Sequence, residues 1–343
     1  MPDFRKGYLA APDRYATMEY RRCGNSGLKL SALSLGMWHN FGNITPYVQM
    51  RDIVCTAFDH GITHFDLANN YGPEYGEAER NMGRLLRDYL RPYRDELVIS
   101  TKAGYDMWPG PYGDHGSRKY LLASLDQSLE RMGLDYVDIF YHHRMDSETP
   151  LEETMGALAS AVEQGKALYV GLSRYDEPTL RRATVILDAR HVPYVINQYR
   201  YNILERGIVD DGSLAASAEL RRGVITFSPL AQGLLTSRYL DGVPADSRMA
   251  HDPRYLKRSA LTPEVHARLV ALDRIARDRG QTLAQMALSW QLHDPRVTSV
   301  LIGASRPGQI LENLKALDGE EWSPEELASI DEAALGKVLE AEN

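Results

Sequence analysis

The sequence predicts an α/β fold: a closed (β/α)8 barrel of the TIM type, with an N-terminal β-hairpin and an extra helix before the last strand. Three observations carry that prediction. Eight short apolar runs alternate with longer segments of helical periodicity. Most strand-to-strand intervals are about 28 to 39 residues, one strand–crossover–strand unit each. No GxGxxG follows an early strand, and an open doubly wound sheet of this size rarely lacks that turn.

In chain order, residues 18–30 read as the hairpin, with Gly24, Asn25, Ser26 and Gly27 at its turn. Strands are expected at 33–36, 62–66, 97–101, 136–141, 167–172, 195–197, 224–227 and 298–302. Helices are expected at 46–60, 76–90, 118–132, 151–164, 177–190, 214–221, 263–279 and 307–317. The long interval before the last strand holds a polar loop, roughly 231–262, and a second helical pattern at 282–293. Thr262-Pro263-Glu264 and Ser323-Pro324-Glu325-Glu326 each place a capping hydroxyl before a first-turn proline and then acids. Gly133 ends the pattern that starts after Ser117, as a C′ glycine does. No linker or low-complexity segment appears, so residues 1–343 are expected to form a single domain.

Composition narrows the function classes. Hydrophobic content of 43% and charged content of 25% suit a soluble protein with a large core. A net charge of −8 and no basic block argue against nucleic-acid binding. The apolar runs are strand-sized, too short to span a bilayer, and residues 1–18 lack a signal-like apolar core. Cys23 and Cys55 have no metal-ligand spacing, and no metal site is expected. Cys55 lies in a helical apolar stripe and reads as a core residue. The expected compartment is the cytoplasm.

The chemistry sits at strand ends. The run through Phe65 closes with Asp66, and Tyr71 follows five residues later. The next run closes with Lys102, and the one after it with His142-His143. In a parallel barrel the carboxyl ends of the strands carry the active site. Reduction of a carbonyl needs a proton for the developing alkoxide, and Tyr71 is a plausible donor. A nearby ammonium, Lys102, favours the phenolate and so is expected to lower the phenol pKa. Asp66 would hold Lys102 charged and oriented, and a histidine would polarise the carbonyl. Each residue alone has a bland reading: a cap, a surface lysine, a packed tyrosine, a structural histidine. Core strands seldom end in charge three times in succession without a use. Alternation does not choose the histidine, since His143 shares a face with Tyr141 and Ile139 while His142 shares one with Phe140 and Asp138.

These residues resemble the catalytic tetrad of the aldo-keto reductases, and the resemblance runs from about Tyr20 to about Ile330. It assigns Asp66, Tyr71, Lys102 and His143, because the family histidine directly precedes Arg or Trp and Arg144 follows here. Ser173, Arg174 and Gln198 resemble the nicotinamide site, with Arg174 where most branches carry Asn. That departure resembles the branch of potassium-channel β subunits and bacterial glyceraldehyde-3-phosphate reductases, and the segments around Trp38 and residues 102–113 resemble the latter. Phe227, Ser228, Leu230 and Gly233 resemble the stacking aromatic and the pyrophosphate loop. Gly303, Ser305, Gln309, Glu312 and Asn313 match positions around the adenine end, although Ser305 or Gln309 alone reads equally well as a helix cap. Arg238 matches a position where Lys usually approaches a 2′-phosphate, with Arg248 a second candidate, so the implied cofactor is NADPH/NADP.

The implied activity is NADPH-dependent reduction of small aldehydes, such as glyceraldehyde 3-phosphate or methylglyoxal. Trp38 and Trp108 are expected to crowd the barrel mouth. Arg144 and Arg174 are the strand-end cations for a substrate phosphate. The aromatic loop 102–113 is either a substrate wall or a packed surface cover. A homo-oligomer, tetrameric or higher, is implied by the resemblance. Two other readings stand beside this one: a nucleotide-binding regulatory subunit with slow turnover, like the channel β subunits, and a dehydrogenase oxidising a polyol. Turnover with simple aldehydes separates the first of these from an enzyme.

Overall fold

The strand-forming runs close on themselves. In the computed structural model, which describes residues 7–244, 249 and 256–335, eight parallel strands form a closed barrel. They are β3 (Leu33–Gly36), β4 (His64–Asp66), β5 (Val98–Ala103), β6 (Val137–His142), β7 (Ala167–Ser173), β8 (Tyr194–Arg200), β9 (Gly223–Phe227) and β10 (Val297–Ile302). The order around the barrel is β10-β3-β4-β5-β6-β7-β8-β9. A separate antiparallel hairpin precedes it, β1 (Tyr20–Arg22) and β2 (Lys29–Ser31), with Tyr20 opposite Ser31.

Two apolar layers follow from strand alternation. The larger lies between the strands and the surrounding helices. The smaller fills the barrel and includes Val98, Ile139, Tyr141, Ile196, Ile225 and Leu301. Cys23 and Leu30 from the hairpin belong to the smaller cluster, so the hairpin closes one end of the barrel. The opposite rim is left for loops. No helix among the described residues is long and apolar enough to cross a membrane.

Helix ends follow local chemistry. Ser117 Oγ accepts the Tyr120 N–H at 3.2 Å to start Arg118–Met132, and Gly133 ends it in the left-handed region. Thr262 caps Pro263–Asp278, and Thr282 with Gln285 forms a reciprocal capping box at the start of Leu283–Leu292. Three expected elements differ. The 76–90 helix is α-helical only over Glu77–Leu85, then widens into a π turn and leaves through a 3-10 turn containing Pro92, which cannot donate to the helical ladder. The 214–221 helix is Ser213–Glu219, preceded by a one-turn helix, Gly207–Asp210, that the sequence did not suggest. The strand expected at 195–197 runs to Arg200. Its polar residues are accommodated because Asn197 bonds Tyr194 and Ser217 on the outer face, while Gln198 faces the interior. Cys55, expected in the core, is only partly buried.

Candidate functional site

The carboxyl rim of the barrel gathers the strand-end residues. Inward-facing Asp66 on β4 and Lys102 on β5 meet with Nζ 2.5 Å from Oδ2, and both side chains are sealed from solvent. Lys102 Nζ also donates to the Leu67 carbonyl at 2.6 Å. The second carboxylate oxygen of Asp66 accepts from Ser100 Oγ at 2.7 Å and from Gln198 Nε2 at 3.2 Å. Gln198 is thus tied to the acid as well as facing the site. The Tyr71 ring lies beside this pair, its centroid 4.9 Å from Lys102 Nζ.

The two histidines part company. His143 meets the Tyr71 ring edge-on, with ring centroids 5.7 Å apart. His142 turns outward, its Nδ1 2.6 Å from the Tyr175 hydroxyl. Gly104 lets the chain after β5 pass over His143, since a Cβ there would lie 3.1 Å from His143 Cβ.

Electrostatics overturn one expectation. Burial pushes the Tyr71 phenol well above its ordinary value, Asp66 pushes it further, and the cation that opposes the rise is Arg174 rather than Lys102. Desolvation of the phenolate outweighs the cations, and the charge of Lys102 is matched by Asp66 at contact distance. Burial also lowers Lys102 despite Asp66. The same burial, with Lys102 and Arg174 beyond it, holds His143 well below the usual imidazole range. At neutral pH the site therefore contains a protonated phenol and a neutral imidazole. A raised phenol is a retained proton, which is what a donor to an alkoxide requires.

The remaining expected residues fall in three places. Ser173 ends β7 with its hydroxyl buried and without a partner. Arg174 follows at φ 58° with its guanidinium 5.0 Å from the Phe227 ring centroid. Beyond Phe227 the chain passes through left-handed positions at Ser228, Ala231, Gln232 and Gly233, with Leu230 between them. Arg238 is exposed on the short turn Ser237–Tyr239, and Arg248 lies outside the described residues. After β10 and Gly303, the Gln309 side chain accepts from Ser305 N at 2.7 Å and from Ser305 Oγ at 3.1 Å, so Gln309 reaches back to hold the turn before its helix. On that helix, Pro307–Leu314, Glu312 is exposed and Asn313 buried.

Trp38 lies past β3, packed against His39 with ring centroids 5.6 Å apart. Trp108 packs on Tyr120, at 5.2 Å between centroids. The loop aromatic that reaches His143 is Tyr105, at 4.7 Å. Arg144, expected as an available cation, is engaged: it donates to Gly104 O at 2.7 Å and to both Asp114 oxygens at 2.8 and 3.0 Å, and lies over the Tyr105 ring. It fastens the loop after β5. Sequence reasoning passed over Ser100 and Tyr105. Ser100 shares a face with Lys102 two residues on, so its signal was present in the alternation.

Residues 32–335 match the model of the aldo/keto reductase family. The chain is 56% identical over 330 residues to L-glyceraldehyde 3-phosphate reductase of Escherichia coli O157:H7, covering 95% of each chain. The protein of that name from strain K12 matches to the same extent. A probable voltage-gated potassium channel subunit beta from Arabidopsis thaliana is 38% identical over 306 residues, 88% of this chain and 92% of that one.

Proposed function

The chain belongs to the aldo/keto reductase family, and from that premise we propose that it reduces small aldehydes to alcohols using NADPH, with Tyr71 as proton donor. The observation that carries the reading is the sealed Asp66–Lys102 pair set between Tyr71 and the rest of the rim. Tyr71 holds its proton until an alkoxide, a far stronger base than water, draws it. His143, kept neutral by burial, offers a ring N–H to orient the carbonyl oxygen. Arg174 is the cation that favours the phenolate left behind, while Asp66 keeps the Lys102 ammonium in place beside the Tyr71 ring.

The residues present fit a nicotinamide cofactor. The buried Ser173 hydroxyl lacks a partner that a carboxamide supplies, Phe227 offers an aromatic face, and the left-handed turns after it suit a pyrophosphate. When bound, the reduced nicotinamide supplies the hydride. Arg238 is the candidate for the 2′-phosphate, with a bidentate fork in place of a lysine. Arg238→Met should raise the Kd for NADPH and leave NADH nearly unaffected. Equal losses for both would mean that this arginine does not read the phosphate.

Glyceraldehyde 3-phosphate is the first substrate to test, because the E. coli relatives carry that name over nearly the whole chain. Measured kcat/KM with NADPH should favour trioses and methylglyoxal over steroid ketones. A preferred steroid would remove the small-aldehyde reading. The similarity to a channel subunit raises the second reading, a nucleotide sensor in the cytoplasm. Turnover of about 10 per second, near the enzyme median, decides for catalysis.

A further inference from the structure

Beneath the Asp66–Lys102 pair lies a histidine that the chemistry above does not use. His64 is two residues before Asp66 on the same inward face of β4, and it is fully buried. Its Nε2 is 2.9 Å from Ser100 Oγ and its Nδ1 is 3.0 Å from Ser34 Oγ. Ser100 donates to Asp66 Oδ1 at 2.7 Å. On the other side Ser34 Oγ is 2.6 Å from Ser299 Oγ, which in turn lies 2.7 Å from the Ser31 carbonyl. A line of polar atoms thus crosses the barrel from the last residue of the hairpin to the Lys102-paired acid.

Proton counting gives this line a direction. Both ends, a carbonyl and a carboxylate, only accept. There are five contacts along it, but three hydroxyls and one neutral imidazole supply four protons. Asp66, paired with Lys102 as a carboxylate, takes the Ser100 proton. Both contacts of Ser100 are then satisfied when it receives from His64 Nε2–H, which leaves Nδ1 to accept from Ser34. Ser299 is left with one proton for two acceptors, so the shortfall sits at the hairpin end, away from Asp66. The other tautomer leaves Ser100 with one proton for two acceptors, His64 Nε2 and the carboxylate, so the shortfall would fall beside Asp66 as an unsatisfied contact in a dry site. Burial lowers His64 to about 4, with Asp66 and Lys102 acting on it in opposite directions, so the ring is neutral at neutral pH.

We propose that His64 is a positioning residue of the reductive site: its Nε2–H fixes the Ser100 hydroxyl on Asp66, and the carboxylate so held aims Lys102 at Tyr71. The proposal rests on the assignment of Asp66 and Lys102 to the reductive site. Its first test needs no turnover. Nitrogen-15 NMR of the labelled, full-length protein without cofactor should show the His64 ring as the Nε2–H tautomer; an Nδ1–H ring overturns the proposal.

The second test uses Ser100→Ala, which removes only a hydroxyl, beside His64→Phe and His64→Gln. Ser100→Ala and His64→Phe should each lower kcat about tenfold or more, with the Kd for NADPH unchanged. His64→Gln, whose amide both donates and accepts, should restore kcat toward wild type. Ser100→Ala with His64→Phe should lose no more than the worse single variant, since both sever one link. Additive losses, a His64→Gln enzyme no faster than His64→Phe, or a Ser100→Ala enzyme with unaltered kcat while Tyr71→Phe is inactive, would overturn the proposal. Tyr71→Phe with wild-type turnover would remove the site reading itself, and the proposal with it.

Discussion

Lys102 Nζ lies 2.5 Å from Asp66 Oδ2 with neither side chain reached by solvent. Removing one member of a buried pair strands the other charge, which costs about 3–5 kcal/mol. Lys102→Met should therefore lose both turnover and stability. Tyr71→Phe leaves the pair intact and removes one hydroxyl. It should keep cofactor affinity and stability while kcat falls about a hundredfold or more. The double variant should be scarcely slower than the worse single one, because the residues act as a unit. Steady-state kinetics with thermal melts separates the two effects, and wild-type-like reduction by Tyr71→Phe would take Tyr71 out of the mechanism.

The histidine pair makes a sharper comparison. His143 touches the Tyr71 ring, whereas His142 bonds Tyr175 on the outer side of the strand. His143→Ala should damage kcat/KM far more than His142→Ala, and His142→Ala should lower the melting temperature more than the catalytic rate. The reverse ranking would contradict the strand's observed register.

How much of this was legible in the sequence depended on where each cause lies. Asp66, Lys102 and the His142-His143 pair announce themselves because a charged or titratable residue ends an apolar strand, the choice of His143 came from the family resemblance, and alternation alone puts Ser100 with Lys102. His64 was hidden by its setting, between Thr63 and Phe65 in a run that reads as apolar. The direction of the Tyr71 shift depends on desolvation, which no spacing encodes. The Arg144–Asp114 pair joins two loops thirty residues apart in the chain, and its formation changes Arg144 from an available cation into a fastener. Trp108 and Tyr105 are equally aromatic in the sequence, and only the path of the loop decides which one reaches His143.

Acid should weaken the fold through its buried imidazoles. Burial pushes His142 down to about 4, against an ordinary 6.5 in the unfolded chain. As pH falls through 6.5 the unfolded chain binds a proton that the folded chain refuses until about 4. The contribution is complete above the unfolded value and is lost as pH falls across this window, by up to about 3 kcal/mol. His64, lowered to about 4 by the same cause, adds to the slope. Melting temperature should drop across this window, less steeply in His142→Gln. A flat profile would exclude neutral burial of these rings.

Packing inside the barrel gives a test independent of chemistry. Gly171 on β7 faces the Tyr141 ring so closely that a Cβ would lie 2.3 Å from Tyr141 Cε1 and 3.0 Å from the Ile196 carbonyl. Tyr141 is fully buried and cannot swing aside. Gly171→Ala should destabilise by about 1–3 kcal/mol or more through overpacking. A melting temperature equal to wild type would show that the ring has room to move.

Recognition of a substrate phosphate, where it occurs, should depend on Arg174 rather than Arg144. Arg144 is already bound to both Asp114 oxygens and to the Gly104 carbonyl. Arg174 is exposed, makes no ion pair among the described residues, and already lowers both Tyr71 and His143 through its charge. Arg174→Met should reduce the kcat/KM advantage of glyceraldehyde 3-phosphate over glyceraldehyde by roughly tenfold or more, the worth of one charge-assisted hydrogen bond. Its NADPH affinity must be measured beside this, because the Phe227 face it covers belongs to the proposed nicotinamide site. Arg144→Met should instead raise KM for both trioses alike, by loosening the loop between Gly104 and Asp114. If Arg144→Met alone abolishes the phosphate advantage, Asp114 releases its arginine when substrate binds, and the roles of the two cations are reversed.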